Sequence, residues 1–293
     1  MNTLLQPIVE SWIRRRARPS AEALAAVAGL RPATVVTGGS EGIGRALARR
    51  FAAKGNLVVL VGRDQARLAE AARIVVPQGR RPALTLALDI TAGDALERLD
   101  ALLAANGLYL DILVNCAGIG LSGRFDTMAP DDVDRLVATN VSALTRLMHH
   151  ALPGMIGRAR GGVLNIASLG GFVAGPYQAA YYASKAYVLS LTSAAAHELA
   201  GQGVRITAVA PGPVDTRFHS KMDADNSLYR WLIPPLGAEH VADSALRGFV
   251  YGRRLVVPGI WNWLLFIGSR LMPNALLVPL MSWLLAPRQG GKR

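Results

Sequence analysis

The sequence predicts an α/β fold with a doubly wound parallel sheet that is covered by helices on both faces. Short apolar runs with little polar alternation, beginning with Ala33–Thr37, are typical of strands buried on both faces of a sheet. Segments of helical length separate these runs, which indicates parallel βαβ units. A glycine-rich turn at Thr37–Gly44, with the sequence TGGSEGIG, follows the first strand. Together these features predict a Rossmann-type doubly wound sheet of about seven strands, with helical appendages at both ends of the chain.

The strands are predicted from apolar, β-branched runs and the helices from what lies between them. The predicted strands, in chain order, are Ala33–Thr37, Leu57–Val61, Leu84–Leu88, Ile112–Val114, Val163–Ala167, Val204–Val209 and Leu255–Val257. The first helix of the sheet domain is predicted over Gly44–Lys54. Pro130, followed by Asp131, Asp132 and Asp134, predicts the start of another helix, because carboxylates in a first turn favour the helix dipole.

Composition excludes several classes of protein. The chain has 293 residues, of which 51% are hydrophobic and 18% charged, and this is too apolar for a disordered protein. Cys116 is the only cysteine, which excludes a disulfide scaffold and indicates a reducing, cytoplasmic compartment. No apolar run of about 20 residues lacks a charge or a proline, so a multi-pass membrane protein is not expected. The histidines have no metal-ligand spacing, and no metal site is predicted.

The net charge of +12 comes mostly from arginine, since only four of the 32 basic residues are lysines. A basic balance suggests nucleic acid, an anionic membrane or an anionic ligand as the partner. No nucleic-acid recognition motif is present, so no nucleic-acid partner is expected. Part of the charge lies at Arg14–Arg18 and Arg288–Arg293, beside apolar stretches, and there it is compatible with peripheral contact with a membrane surface.

Three units are predicted along the chain: an amphipathic appendage at 1–32, a dinucleotide-binding and catalytic domain at 33–258, and an apolar tail at 259–293. The apolar positions that recur at helical spacing in the appendage are Leu4, Leu5, Ile8, Trp12 and Ile13. Packing of this helix on the main domain is favoured over contact with a membrane, because apolar stripes usually bury themselves in protein.

The tail carries very little charge, with Arg270 as the only charged residue between Leu255 and Pro287. It contains three tryptophans and is interrupted by Pro273 and Pro279. Each half is shorter than the ~20 residues that cross a bilayer. A hairpin at a membrane interface, a dimer interface and a wall of the substrate pocket are the open interpretations, with burial in protein favoured.

The glycine-rich turn predicts a phosphate-binding site. Gly38 permits the tight turn, Gly42 lets the backbone approach a pyrophosphate, and Gly44 lets the following helix pack close to the sheet. The N-terminus of that helix offers free N–H groups to the diphosphate. Ile43 lies within the same turn, and Ser40 adds a hydroxyl donor.

The spacing Gly-x-x-x-Gly-x-Gly resembles the dinucleotide fingerprint of the short-chain dehydrogenase/reductase family, and the resemblance covers about residues 33–257. Asp89 follows the third strand, where the resemblance implies a contact with adenine. Asn115-Cys116-Ala117-Gly118 is similar to the family's Asn-Asn-Ala-Gly segment, with Cys116 in place of the second asparagine. Pro211-Gly212-Pro213-Val214-Asp215-Thr216 is similar to the segment beside the nicotinamide. The cofactor contacts that these two segments imply are Asn115, Ala117, Gly118, Pro211, Gly212, Val214 and Thr216.

The resemblance implies a nicotinamide dinucleotide, and the residue after the second strand separates NAD from NADP. An acidic residue there accepts the ribose 2′-hydroxyl of NAD, whereas an arginine accommodates the 2′-phosphate of NADP. Arg63 supplies such a charged fork beside Gly62. Glu41 and Asp64 argue in the other direction, so NADP is favoured and NAD is the alternative.

Tyr181 and Lys185 are four positions apart, which places them side by side on one face of a helix. Reduction of a carbonyl needs a proton donor, and a nearby ammonium favours the phenolate of a tyrosine. Ser168 follows the fifth strand at the carboxyl edge of the sheet, where open α/β folds place their sites. Asn140 lies in the segment Thr139-Asn140-Val141, which also matches the family.

The resemblance implies a catalytic role for each of these residues. Tyr181 is the acid/base that protonates the carbonyl oxygen, Ser168 orients that oxygen, and Lys185 favours ionisation of the tyrosine and holds the nicotinamide ribose. Asn140 keeps a water in place for a proton relay from the lysine. Tyr182 is the alternative acid/base, but its spacing from the serine departs from the family's pattern.

Residues 213–237 fall where the family carries a segment that covers the substrate. Its apolar positions are Phe218, Met222, Leu228, Trp231 and Leu232. They suggest a lipophilic ketone or secondary alcohol as the small-molecule substrate of an NADP(H)-dependent oxidoreductase, and ordinary packing in the core is the equally open interpretation. The resemblance implies a homodimer or homotetramer. The alternatives are NAD-dependent oxidation of hydroxysteroid-type alcohols and, from another class, a catalytically idle membrane-associated scaffold or sensor that binds a dinucleotide.

Overall fold

The structure is a computed structural model that describes residues 6–77, 82–218, 222 and 234–286. Its strands are β1 (Arg31–Thr37), β2 (Leu57–Gly62), β3 (Leu84–Ala87), β4 (Leu108–Asn115), β5 (Gly162–Ile166), β6 (Arg205–Val209), β7 (Val214–Asp215), β8 (Leu236–Gly237) and β9 (Leu255–Val256). Within the described ranges, seven strands form one parallel sheet in the order β3-β2-β1-β4-β5-β6-β9, and β7 pairs with β8. The predicted doubly wound parallel sheet is confirmed.

Helices cover both faces of this sheet. They are α1 (Gln6–Arg14), α2 (Ala21–Ala25), α3 (Gly42–Ala53), α4 (Gln65–Ile74), α5 (Ala95–Ala105), α6 (Pro130–Val137), α7 (Leu144–Gly157), α8 (Ala179–Glu198), α9 (Ala238–Val250), α10 (Ile260–Leu271) and α11 (Asn274–Leu285). One face packs against α3, α4 and α9, and the other packs against α5, α7 and α8. Because both faces are buried, the central strands are apolar at successive positions and show no alternation.

The fourth strand is longer than the predicted Ile112–Val114. Its first half was not predicted because a charged residue interrupts the apolar run there. Asp111 is buried within β4, and its carboxylate accepts a hydrogen bond from Arg160 Nε at 3.0 Å. Charged groups are seldom buried unless they are paired in this way. The helix predicted to start at Pro130 is confirmed, with Asp131 in its first turn.

The N-terminal helix α1 packs against the amino-terminal edge of the sheet. Ile13 is 3% exposed, and its carbonyl accepts a hydrogen bond from Gly203 N–H at 2.9 Å just before β6 begins. Glu10 forms an ion pair with Arg205, the first residue of that strand. The appendage therefore lies at the end of the molecule opposite the carboxyl ends of the strands. The unit boundaries after residues 32 and 258 stay predictions.

The C-terminal helices α10 and α11 have only Met272 and Pro273 between them, lie at the carboxyl-terminal edge of the sheet, and are together called the hairpin below. The ring of Phe266 of α10 packs against the ring of Phe172 at a tilt of 57°, with 4.6 Å between the ring centroids. Leu285 of α11 is buried in a cluster with Tyr181 and Tyr182. In the part of the chain that the structure describes, no helix is long and apolar enough to cross a membrane.

Candidate active site

A cavity of about 1120 Å³ lies at the carboxyl ends of the central strands, where the strand order reverses between β1 and β4. Open α/β sheets bind their ligands at such a switch point. The sequence-predicted residues that line it are Gly38, Ser40, Gly42, Ile43, Gly44, Arg63, Asp89, Ala117, Gly118, Ser168, Tyr181, Lys185, Pro211, Gly212, Val214 and Thr216. Asn115 and Asn140 stand behind this lining rather than in it. The structure thus brings segments from most of the chain to one place.

The turn after β1 is packed so tightly that its glycines have no substitute. Thr37 Oγ1 accepts hydrogen bonds from the N–H groups of Cys116 and Ala117, both at 3.1 Å, which holds the end of β4 against the turn. Gly38 has φ +65°, and a Cβ there would lie 2.9 Å from Ala117 Cα. A Cβ on Gly44 would overlap the carbonyl oxygen of Gly38. These contacts leave a cradle of bare backbone at the cavity wall.

The first turn of α3 opens into this cradle. The Glu41 side chain makes no capping hydrogen bond to the helix, so the first N–H groups are left to a ligand in the cavity. Gly42 has φ +55°, and a Cβ on it would lie 3.1 Å from Thr216 Cγ2. Thr216 therefore sits directly over the helix start. This arrangement suits an anionic group between α3 and the segment after β6.

Arg63 lines the far end of the cavity together with Arg67, which the sequence analysis did not identify. Asp64 Oδ1 caps α4 by accepting a hydrogen bond from Arg67 N–H at 3.0 Å, and its other oxygen lies 3.2 Å from Arg67 Nε. Asp64 is thus engaged by its own helix, which weakens it as a competing ribose ligand. The spacing of Asp64 and Arg67 is a signal that could have revealed this second arginine.

Asp89 is held ionised beside these arginines. Its Oδ1 accepts hydrogen bonds from Thr91 N–H at 2.9 Å and from Thr91 Oγ1 at 2.8 Å. The backbone hydrogen bond from Thr91 is the largest cause that lowers the pKa of Asp89, and the charge of Arg63 lowers it further. The carboxylate is therefore an acceptor at the far end of the cavity.

Asn115 lies behind the cavity rather than in its lining, and the cofactor contact predicted for it stays a prediction. Its side chain is buried, and its Nδ2 donates to Asn165 Oδ1 at 2.9 Å. Asn165 Nδ2 in turn donates to Thr192 Oγ1 of α8 at 2.9 Å. The asparagine therefore ties β4 to β5 and α8 behind the cavity. The lining at this position comes instead from Cys116, Ala117 and Gly118, which follow it.

Ser168, Tyr181 and Lys185, the residues predicted to be catalytic, all line the same cavity. Lys185 is buried, its Nζ lies 5.8 Å from the centroid of the Tyr181 ring, and it donates to the carbonyl of Ile166 at 2.9 Å. Ser168 Oγ accepts a hydrogen bond from Gly170 N–H at 3.1 Å. That bond uses a lone pair of the hydroxyl, so its proton can still be donated to a ligand.

Asn140 supports this group from behind, in a π-helical turn between α6 and α7. Its Oδ1 accepts from Ile119 N–H at 2.9 Å, and its Nδ2 donates to the Ile119 carbonyl at 2.8 Å and to Ser184 Oγ at 3.1 Å. A Cβ on Gly118 would lie 3.2 Å from Asn140 Oδ1 and 3.6 Å from Lys185 Nζ. The bare glycine therefore keeps a gap between the asparagine and the lysine.

Burial sets the protonation of two groups beside this gap. It lowers the pKa of Lys185 from 10.5 to about 8, so the ammonium loses its proton at a pH only slightly above neutral. It also raises the pKa of the Cys116 thiol to about 12, with the charge of Lys185 as a smaller opposing cause. The thiol is thus protonated and unreactive, as its interpretation as a small packing residue predicts. Among the described residues, no three His, Cys, Asp or Glu side chains are grouped to hold a metal ion.

Tyr182, the alternative acid/base, also lines the cavity, so lining alone does not separate the two tyrosines. Their rings meet edge to face with centroids 6.1 Å apart. The Tyr182 ring is enclosed by Gly170 and Gly175, where any Cβ would press on it. Tyr181 instead faces Lys185, with Phe218 at 5.6 Å on another side.

The substrate side of the cavity is apolar and comes largely from the C-terminal hairpin. Its lining residues there are Trp261, Leu264, Leu265, Phe266, Met272, Leu277, Leu280, Met281 and Leu284. Of the predicted covering residues, Phe218 and Met222 also line the cavity. Leu228, Trp231 and Leu232 lie outside the described residues. The structure therefore uses the tail as a pocket wall, one of the three interpretations left open by the sequence.

Asn262 fixes the hairpin to the nicotinamide side of the predicted site, and the sequence analysis missed it. Its side chain is buried, and Nδ2 donates to the Pro258 carbonyl at 2.8 Å. A Cβ on Gly212 would overlap the Asn262 side-chain oxygen. The one polar residue in the apolar start of α10 was the available signal, because a buried amide needs a partner.

Comparison with known proteins agrees with this geometry. The family model described as short chain dehydrogenase matches residues 32–227. An uncharacterised oxidoreductase of Staphylococcus saprophyticus is 35% identical over 189 residues, which cover 64% of this chain and 81% of that protein. The residues that the family model matches include the glycine-rich turn, the two tyrosines and the lysine.

Two solved structures extend the similarity to most of the chain. A short-chain dehydrogenase from Sphingobium yanoikuyae, in complex with NADPH, is 29% identical with a TM-score of 0.71, and the match covers 89% of this chain and 98% of that chain. A bulky-bulky ketone specific alcohol dehydrogenase from Comamonas testosteroni is 27% identical with a TM-score of 0.67, covering 90% of this chain and 98% of that one.

Proposed function

The chain belongs to the short-chain dehydrogenase/reductase family of NAD(P)-dependent oxidoreductases, and we propose that it interconverts a lipophilic ketone and its secondary alcohol with NADP(H). The observation that carries this proposal is one cavity in which Ser168, Tyr181 and Lys185 stand between a phosphate cradle and an apolar wall. The polar side has the groups that hold a dinucleotide, and the apolar side has room for a bulky carbonyl compound.

The residues present fit a dinucleotide phosphate. The cradle around Gly38 and Gly44 is closed to any Cβ, which leaves its backbone N–H groups open to a pyrophosphate, with the Ser40 hydroxyl in the same turn as a further donor. Arg63, Arg67 and Asp89 all line the cavity, which supports the proposal that Arg63 would pair with a 2′-phosphate and that Asp89 would accept a hydrogen bond from adenine. When bound, NADPH supplies the hydride that reduces a carbonyl carbon. The NADPH complex of the Sphingobium relative supports this choice of cofactor.

Protons are handled by the residues in the middle of the cavity. Tyr181 Oη gives its proton to the carbonyl oxygen, and the Ser168 hydroxyl donates a hydrogen bond that orients the same oxygen. Lys185 stabilises the phenolate that remains. Because its pKa is about 8, Lys185 also exchanges protons near neutral pH and can restore the tyrosine. Asn140 holds the backbone at Ile119. The family resemblance implies that it also keeps a water in place for this relay, and that role is part of the proposal.

The apolar wall supports a lipophilic substrate. It is built from leucine, methionine and aromatic side chains of α10 and α11, with almost no polar group to select a hydrophilic compound. The Comamonas relative is specific for bulky-bulky ketones, which supports a substrate with large groups on both sides of the carbonyl. A homodimer or homotetramer stays a prediction from the family resemblance.

The test is NADPH oxidation by the purified full chain with a panel of bulky ketones, repeated with NADH. We expect turnover with NADPH and a higher KM for NADH. Turnover with NADH and hydroxysteroids alone favours the NAD-dependent alternative. Tight NADPH binding without turnover of any ketone or alcohol favours an idle dinucleotide-binding protein and overturns the proposal.

Tyr181→Phe tests the acid/base, with Tyr182→Phe as the matched control. General acid catalysis contributes about 10²–10⁴-fold to a rate, so Tyr181→Phe is expected to lose that much kcat while its NADPH affinity is kept. Tyr182→Phe keeps most of the turnover, because the rings are the same size and only a hydroxyl is removed. A reversed outcome assigns the proton to Tyr182.

A further inference from the structure

The hairpin of α10 and α11 exposes an apolar surface to the outside of the molecule. We define the hairpin face by Trp261, Leu264, Leu271, Leu276, Leu280 and Trp283, all of which are exposed. Leu276 is 64% and Trp283 59% exposed, although a helix that is apolar on most sides is normally buried. Contiguous apolar patches of this kind mark interaction surfaces.

Three residues of the hairpin face also belong to the cavity wall. Trp261, Leu264 and Leu280 line the cavity and are exposed, whereas Leu271, Leu276 and Trp283 are exposed without lining it. The hairpin face therefore adjoins the apolar wall of the cavity that contains Tyr181 and Lys185.

We propose that the hairpin face docks on an anionic lipid bilayer and that the substrate enters the cavity from the lipid through this wall. Each helix has 12 residues, about 18 Å in length, so the hairpin is too short for the ~30 Å hydrocarbon core and fits the interface. Exposed tryptophans favour that depth, where an indole meets both apolar chains and polar headgroups. The entry route rests on the proposed function, whereas docking does not.

The positive charge in and after the hairpin favours an anionic lipid surface, rather than a second copy of the chain, as the partner of the hairpin face. Arg270 is the only charged residue of the hairpin, and the sequence continues to basic residues at 288, 292 and 293 with no acid. A basic sequence that directly follows an apolar hairpin complements anionic headgroups. The hairpin sequence itself contains no acidic residue, so in a two-fold contact between two such hairpins Arg270 would find no acidic partner on the other.

The chain contains its own control for this docking. On α1, Ile8 is 66% and Trp12 49% exposed, close to the values for the hairpin pair. However, α1 packs at the amino-terminal edge of the sheet, so a flat membrane that touches the hairpin lies at the other end of the strands. The two surfaces have similar chemistry and opposite positions.

The experiment is flotation of the full chain with vesicles of equal parts phosphatidylglycerol and phosphatidylcholine, and with phosphatidylcholine alone. Leu276 and Trp283 do not line the cavity, so the double variant Leu276→Gln, Trp283→Gln changes the hairpin face only from outside. We expect the wild type to float with the anionic vesicles and the double variant to bind at least about tenfold more weakly. The control Ile8→Gln, Trp12→Gln is expected to float as the wild type does.

Three results overturn docking: no flotation of the wild type, equal flotation of the hairpin variant, or an equal loss in the α1 control. A change of oligomeric state in the hairpin variant, seen by light scattering without vesicle binding, assigns the face to a second copy instead. The thermal unfolding midpoint of each variant is expected to stay near that of the wild type, since all four side chains are exposed.

Turnover separates this inference from the proposed function. For a water-soluble ketone, the hairpin variant is expected to keep the wild-type kcat and KM, while the KM for a ketone dissolved in the anionic vesicles rises at least about tenfold. Flotation without any ketone turnover contradicts the proposed function and leaves docking intact. Equal KM values for the vesicle-dissolved ketone contradict entry from the lipid.

Discussion

The two sides of the cavity are built on opposite principles. The nucleotide side is made of backbone, with glycines at Gly38 and Gly44 that touch other main-chain atoms and a hydroxyl of Thr37 that joins two strands. The substrate side is made of long apolar side chains from α10 and α11, many of them half exposed, with Asn262 as its main polar anchor.

This difference predicts how well each side of the cavity tolerates amino-acid substitution. Backbone packed against backbone cannot move to accept an extra atom, so the nucleotide side is specified residue by residue. Leucine and methionine side chains change rotamer at little cost, so the substrate side tolerates exchange and adapts to bulky molecules. Substitutions are therefore expected to act sharply on one side and gently on the other.

The sharpest test is Gly44→Ala. Its Cβ would overlap the Gly38 carbonyl, and overpacking of this kind costs about 1–3 kcal/mol in stability. We expect NADPH affinity, measured by fluorescence titration, to fall about a hundredfold or more because the cradle must shift. Gly93→Ala is the control, since a Cβ there meets nothing within 4 Å. Unchanged affinity in Gly44→Ala breaks the contrast between the two sides.

Lys185 stands at the boundary of the two sides, and its burial predicts a pH dependence of stability. Its pKa falls from 10.5 to about 8 on folding, so between these values the unfolded chain binds more protons than the folded one. The cost of burial is complete below about pH 8 and is relieved as pH rises towards 10.5. Relative to Lys185→Met, the wild type should therefore gain up to about 3 kcal/mol over this range in urea unfolding. A pH-independent difference contradicts the assignment.

Arg63→Asp tests the charge selection on the nucleotide side. Loss of a charge-assisted pair with a phosphate costs about 1.5–3 kcal/mol, so the KM for NADPH should rise about 10- to 100-fold while that for NADH changes less. Arg73→Asp, an exposed position on α4 away from the cavity, carries the same charge change as a control. Equal effects on both cofactors would show that Arg63 acts only as a surface charge.

The gentlest change is expected at the anchor of the substrate side. Asn262→Ala leaves the Pro258 carbonyl without its donor and loosens α10 on Gly212, at a cost of about 1 kcal/mol. We expect the KM for a bulky ketone to rise a few-fold with little change in NADPH affinity, in steady-state kinetics. Asn274→Ala, which is exposed at the start of α11, serves as the control. A larger effect than that of Gly44→Ala reverses the order proposed for the two sides.

The fold and most of the nucleotide side were predictable from sequence, because their signals are local. Apolar runs marked the strands, and the glycine spacing marked the cradle at the correct strand end. The start of β4 was missed since Asp111 breaks the apolar run, and its partner Arg160 is distant in sequence. Arg67 was missed because its spacing from Asp64 indicates an ion pair on a helix, whereas only the placement of α4 beside the cavity shows that Arg67 lines the site.

The sequence by itself determined the doubly wound sheet, the phosphate turn and the spacing of Tyr181 and Lys185, since each depends on neighbours within a strand, a turn or a helix. Only the tertiary structure decided that the Asn115 side chain makes a hydrogen bond in the protein interior, that the two apolar appendages lie at opposite ends of the strands, and that the tail lines the cavity. The burial of apolar side chains depends on no directional bond. An apolar stretch of sequence therefore predicts that the stretch will be buried, but not which surface it will pack against.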